Sequence, residues 1–101
     1  MTSLKKDMEL KRAIASSNLL SKGQKKILEH LSGFDHGASM SELMELMNLS
    51  KQALYFNVKK LLDRGFISRK KILVYVYQLN DQKMSEIVTT YKQFKAARRK
   101  M

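Results

Sequence analysis

Cysteine is absent from the chain, which excludes a disulfide scaffold, thiolate zinc or iron–sulfur sites and a cysteine nucleophile, and suits a reducing cytoplasm. Proline is absent too, and the four glycines stand at Gly23, Gly33, Gly37 and Gly65. Few breakers permit a mostly helical chain with few interruptions. No apolar run approaches the roughly 20 residues of a transmembrane helix, and the N-terminal MTSLKKDMELKR is charged where a secretory signal is apolar. The expected location is therefore the cytoplasm. Acids are scarce: 9 Asp and Glu stand against 20 Lys and Arg, a net charge of +11 on 101 residues. That excess favours a polyanionic partner, with nucleic acid ahead of an anionic membrane. The length suits one domain, able to bury roughly 60 to 70 % of its unfolded surface without covalent staples.

The same scarcities restrict catalysis. His30 and His36 are the two histidines, and no Ser/His/Asp array, glycine-rich phosphate loop or paired-acid motif can be assembled around them. No enzyme activity, cofactor or metal is expected. Asp35 beside His36 offers two ligands, but such neighbours read as solvated loop residues, and the segment 41–46 holds no thiolate for a soft metal. The methionines, Met40, Met44 and Met47 among them, read as core filling rather than as an adaptable binding surface.

Periodicity divides the chain into three parts. Residues 1–20 read as an N-terminal helical arm with Leu10, Ala13 and Ile14 on one face, interrupted by Ser16-Ser17-Asn18. From Ser21, the positions Ile27, Leu28, Leu31 and Phe34 form an amphipathic stripe that stops in the loop GFDHGAS. Ser39-Met40-Ser41-Glu42 has the spacing of a capping box and starts a short helix with Leu43, Leu46 and Met47 inward. Asn48-Leu49-Ser50 follows as a tight turn, in which Asn48 suits a left-handed backbone and Ser50 caps the next helix. That helix, about 51–64, turns Leu54, Val58, Leu61 and Leu62 inward and ends at Gly65. The period then becomes two, with strands over 66–69 and 73–79 joined by Lys70, Lys71 and Ile72. Asn80 or Asp81 caps a final helix with Met84, Ile87, Val88, Tyr91 and Phe94 at a spacing of about 3.5, ending in a basic tail.

Helix, helix, tight turn, helix and two-stranded ribbon is the order of a winged helix-turn-helix, a mainly α, α+β architecture with a two-stranded β-wing. LSKQALYFNVKKLLDRGFISRK followed by VYVYQLN is closely similar to the recognition-helix and wing segment of the ArsR and MarR families of bacterial transcriptional regulators. The resemblance covers about residues 21–80. It rests on Leu49-Ser50, on Leu54, Val58 and Leu61 at helical spacing, on Gly65-Phe66-Ile67, and on a last strand ending Tyr77-Gln78-Leu79.

The resemblance implies a DNA-binding domain over 21–80, with the third helix of that domain reading bases. Its outer face is left to Lys51, Gln52, Tyr55, Phe56 and Lys59. Gln pairs with adenine, Lys reaches guanine or phosphate, and an aromatic ring packs on a thymine methyl. Phe56 has an alternative place against the N-terminal helix. Arg69, Lys70 and Lys71, read as the ribbon tip, suit phosphates or an adjacent minor groove. Lys22, Lys25 and Lys26 open a helix whose dipole disfavours cations there, which points to an outside partner such as the phosphate backbone.

The expected partners are double-stranded DNA and a second copy of the chain. A homodimer would read two half-sites about one helical turn apart. ArsR-like proteins pair through terminal helices, so the resemblance implies an interface over residues 81–101, through Met84, Ile87, Val88, Tyr91 and Phe94, supported by Leu10 and Ile14. These positions read as lying outside the winged-helix core, with folding of the last helix onto the first as the alternative. Taken together, the expected function is a prokaryotic, phage or plasmid regulator acting by operator occupancy. A winged-helix assembly module without DNA readout is the alternative.

Overall fold

A side-chain oxygen begins each of four helices. Ser21 Oγ accepts from the Gln24 backbone amide, and the Ser21 amide donates in return to the Gln24 side chain. This capping box opens α2 (Lys22–Leu31). Ser39 and Glu42 form the same reciprocal pair at the start of α3 (Met40–Leu46). Ser50 Oγ accepts from the Ala53 amide at the start of α4 (Lys51–Asp63). Asn80 Oδ1 accepts from the Lys83 amide and starts α5 (Asp81–Arg99). The computed structural model describes residues 3–99, beginning with α1 (Ser3–Ser16). The outermost positions of the expected arm and basic tail, residues 1–2 and 100–101, lie outside the described residues.

Between α2 and α3, residues expected as loop contain β1 (Ala38–Ser39), which adds a third strand to the expected ribbon of β2 (Ile67–Lys71) and β3 (Tyr75–Leu79). The sheet order is β1-β3-β2, antiparallel throughout, with Ala38 opposite Tyr77, Ile67 opposite Leu79, and Lys71 opposite Tyr75. Gly37 makes this approach possible. Its φ is +84°, and a Cβ there would stand 2.4 Å from the Tyr77 carbonyl oxygen. A two-residue strand lacks the length for a period-two pattern, which is why it reads as loop.

The helix-turn-helix corner differs from expectation in its backbone. No non-glycine residue among those described has a positive φ, so Asn48 is not left-handed. Met47 instead leaves α3 in an extended conformation, with φ −108° and ψ 138°, and its side chain stays buried. Leu46, expected inward, faces solvent. Phe34 sits half-buried in the turn beyond α2 rather than on its stripe.

One core joins all parts of the chain. Ile27, Leu28 and Leu31 of α2, Leu43 of α3, and Leu54, Val58 and Leu61 of α4 meet Phe66, which immediately precedes β2, and Ile67 and Tyr77 from the sheet. Each large apolar side chain removed from water contributes roughly 1.5 to 3 kcal/mol. Ala13 and Ile14 of α1 and Met84 and Ile87 of α5 belong to the same cluster. This corrects the expectation that Ile14 lies outside the core: its side chain is fully buried. The helix α5 packs along α1, and the Lys92 ammonium stands 3.4 Å from a Glu9 carboxylate oxygen across the two.

Candidate nucleic-acid interface

The helix α4 divides its side chains by the 3.6-residue repeat. Leu54, Val58 and Leu61 are turned into the core. Lys51, Gln52, Tyr55, Phe56 and Lys59 are exposed together on the other side. The two aromatic residues are 49 % and 60 % exposed, so neither Tyr55 nor Phe56 is a core residue. The Phe56 ring carries the Lys60 ammonium 5.5 Å from its centroid, and the Lys51 ammonium lies 5.9 Å from the Tyr55 centroid. These contacts hold cations beside aromatic faces without neutralising them. Lys60 is a member of this face that sequence reasoning misses. Its i+4 spacing from Phe56 is the available signal.

The N-terminal turn of α2 lies beside the middle of α4. Gly23 passes so close to Asn57 that an added Cβ would stand 2.8 Å from Asn57 Nδ2. Asn57 Nδ2 in turn donates to the Ala53 carbonyl at 2.9 Å. Gln24, a buried residue, joins α2 to the end of α4: its Oε1 accepts from Arg64 Nη1 at 3.2 Å. Of the three lysines in this turn, Lys22 and Lys26 fall differently from Lys25 in their contacts, since among the described residues only Lys25 is spent on another helix. It donates from Nζ to the Ala15 carbonyl at 2.8 Å, at the C-terminal end of α1. A cation at that end complements the helix dipole, so Lys25 ties α1 to α2.

The wing carries its cations along a strand rather than at its tip. Arg69, Lys70 and Lys71 belong to β2, and the hairpin turn is Ile72-Leu73-Val74. The β-branched and aromatic run predicts a last strand from Leu73, because that run starts there. Pairing ends instead at Lys71 and Tyr75. Strand alternation places Arg69 and Lys71 on one face and Lys70 on the other. On the first face, the Arg69 guanidinium lies 4.5 Å and the Lys71 ammonium 5.7 Å from the Tyr75 ring centroid. Among the described residues, two ion pairs form, Lys83 with Glu86 and Lys92 with Glu9, and neither involves a cation of α4 or β2.

The positions expected to join two copies fall into different environments. Ile14, Met84 and Ile87 are buried within the single chain. Leu10, Val88 and Tyr91 are half-buried against its core, and Phe94 is 59 % exposed. Leu19, Tyr91 and Phe94 border a cleft of about 460 Å³ between the α1–α2 connection and α5. No described helix is long and apolar enough to cross a membrane. The described residues contain no group of three or more His, Asp or Glu side chains placed to hold a metal ion.

Residues 20–68 match the family model for winged helix-turn-helix DNA-binding domains. The match therefore includes α2, α3, α4 and the start of β2. The chain is also similar to the ST1889 protein from the thermoacidophilic archaeon Sulfolobus tokodaii, known from a crystal structure. That likeness has a TM-score of 0.59 at 20 % identity, over 96 % of this chain and 98 % of the other. At this identity the likeness is one of fold, and its coverage takes in the flanking helices as well as the wing. A search of curated proteins gives no significant match. The architecture is a winged helix-turn-helix, and residues 20–68 are the part of it that resembles the family model.

Proposed function

We propose that this chain binds double-stranded DNA sequence-specifically and acts as a homodimeric transcriptional regulator, of the ArsR/MarR kind, in the cytoplasm of a prokaryote or from a phage or plasmid. The carrying observation is the division of α4: an apolar face closed in the core, and an opposite face on which Lys51, Gln52, Tyr55, Phe56 and Lys59 are exposed together. In the major groove, Gln52 is suited to the paired donor and acceptor of adenine. Lys51 and Lys59 suit guanine or phosphate, and the two rings suit thymine methyl groups. Phosphate contacts fix the register of such a helix, and Lys22 and Lys26 of α2 with Arg69, Lys70 and Lys71 of β2 supply the cations.

Two copies related by a twofold axis would add their affinities and read half-sites about one helical turn apart. The surface favoured for pairing is what the α1–α5 contact leaves outside: Leu10, Val88, Tyr91 and Phe94. Ile14, Met84 and Ile87 would support it from within the chain. Selection of bound duplexes from a random library tests the reading. A recurrent sequence, lost with Gln52→Ala or Tyr55→Ala, is expected. Recovery of unrelated sequences by the unmutated protein would overturn it.

A further inference from the structure

The end of the wing is the least expected surface of the molecule. Ile72, Leu73 and Val74 are 67 %, 91 % and 59 % exposed. From Ser68 to Tyr75 every residue is exposed, on both faces of the hairpin, so this stretch stands away from the core. Hairpin turns favour Gly, Asn, Asp and Ser, which tolerate unusual backbone angles and face water without cost. This turn uses none of them and contains no positive φ. Its backbone therefore does not call for three consecutive aliphatic side chains, and solubility disfavours them. Immediately behind them stand Arg69 and Lys71, both over the Tyr75 ring, and Lys70 on the opposite face. An apolar point backed by cations matches a surface with an anionic rim and an apolar interior.

We propose that Leu73, flanked by Ile72 and Val74, is an apolar wedge that enters the minor groove and partly unstacks one base step, while Arg69, Lys70 and Lys71 hold the phosphates on either side. This inference rests on the DNA-binding reading above and adds a deformation of the duplex to it. Leucine and isoleucine are effective wedges between base steps because they replace stacking contacts with apolar ones. Pyrimidine–purine steps separate most readily and are the expected point of entry. The wedge would thus give sequence preference at a step where no base edge is hydrogen-bonded.

The test uses the full chain and a selected duplex in which 2-aminopurine replaces single adenines across the flanks of the site. Binding of the unmutated protein should raise the 2-aminopurine fluorescence at one step. Leu73→Ser should abolish the rise and weaken binding about ten- to a hundredfold, the effect of losing one buried leucine. The salt slope should stay the same, since no charge is removed. Leu73→Met should restore the rise. Circular dichroism of Leu73→Ser should match the unmutated protein, because the side chain contributes little to the core. Duplex binding without any fluorescence rise, or with a rise that Leu73→Ser retains, would overturn the wedge and leave the DNA reading standing. Absence of duplex binding would remove both. Cosedimentation with phosphatidylglycerol vesicles that depends on Leu73, without Leu73-dependent duplex binding, would assign the tip to a lipid surface and overturn the proposal.

Discussion

The guanidinium of Arg69 lies 4.5 Å from the ring centroid of Tyr75, diagonally across the two wing strands. The Lys71 ammonium shares that ring, so two long, otherwise mobile cations are held over one rigid surface. Lys70 projects from the other face. Each of the three is expected to contact phosphate rather than base. Lys70→Ala or Lys71→Ala should weaken every duplex alike and reduce the magnitude of the salt slope by about 1. Tyr75→Leu keeps the charge but releases the cations, so affinity should fall with the slope unchanged. Isotherms at several salt concentrations check both, and an altered sequence preference in Lys70→Ala would contradict them.

Under the proposed function, α4 reads the bases. Gln52→Ala and Tyr55→Ala should each cost about 1 to 3 kcal/mol of discrimination at one base position while leaving nonspecific binding nearly intact. Competition between the selected duplex and single-base variants measures this directly. Unchanged discrimination in both variants would place base reading on another face.

The fully buried Ile14 gives a stability test of how α1 joins the domain. Ile14→Ala should lower unfolding free energy by about 2 to 5 kcal/mol, because the cavity opens between α1 and the core rather than at a loose arm. Urea denaturation followed by circular dichroism reads the change, and a cost under about 0.5 kcal/mol would mean that α1 is detached in solution.

Two glycines have positive φ but different surroundings. At Gly65, with φ +78°, an added Cβ would meet only the flexible Lys83 Cε at 3.6 Å, so Gly65→Ala should cost the backbone term alone, about 1 to 2 kcal/mol. Gly37→Ala meets the Tyr77 carbonyl oxygen and should cost more, with loss of the β1–β3 pairing. Thermal unfolding of the two variants should rank them in that order.

Much of this architecture is legible in the sequence because local signals agree with packing. The Ser39–Glu42 capping box, the inward set Leu54, Val58 and Leu61, and the positive φ of Gly65 all follow from spacing and residue type. The outer face of α4 follows as its complement. What is not legible depends on contacts distant in the chain. The strand at Ala38–Ser39 exists because β3 passes beside it. The connection of Lys25 to Ala15 joins two helices across an intervening turn. The stripe on α5 is equally compatible with a second copy or with α1, and only the fold places Met84 and Ile87 against α1 and the core. At the wing, a β-rich run continues past the last paired residue, which displaces the expected turn.

That packing also changes which variant tests pairing. Ile87→Asp would bury a charge in the core and unfold the chain. Phe94→Asp acts on an exposed side chain and should leave a folded protein. Sedimentation velocity at micromolar concentration should give a dimer for the unmutated chain and a monomer for Phe94→Asp, with much weaker binding to the full selected site. A monomer in both cases would contradict pairing.

The salt dependence of binding to the selected duplex tests the central claim most directly. If a dimer neutralises about six to ten phosphates, log affinity should fall linearly with log salt, and affinity should drop on the order of 10³- to 10⁵-fold between about 50 and 200 mM salt. A flat response, with the protein folded throughout, would contradict recognition of DNA by α4 and the wing.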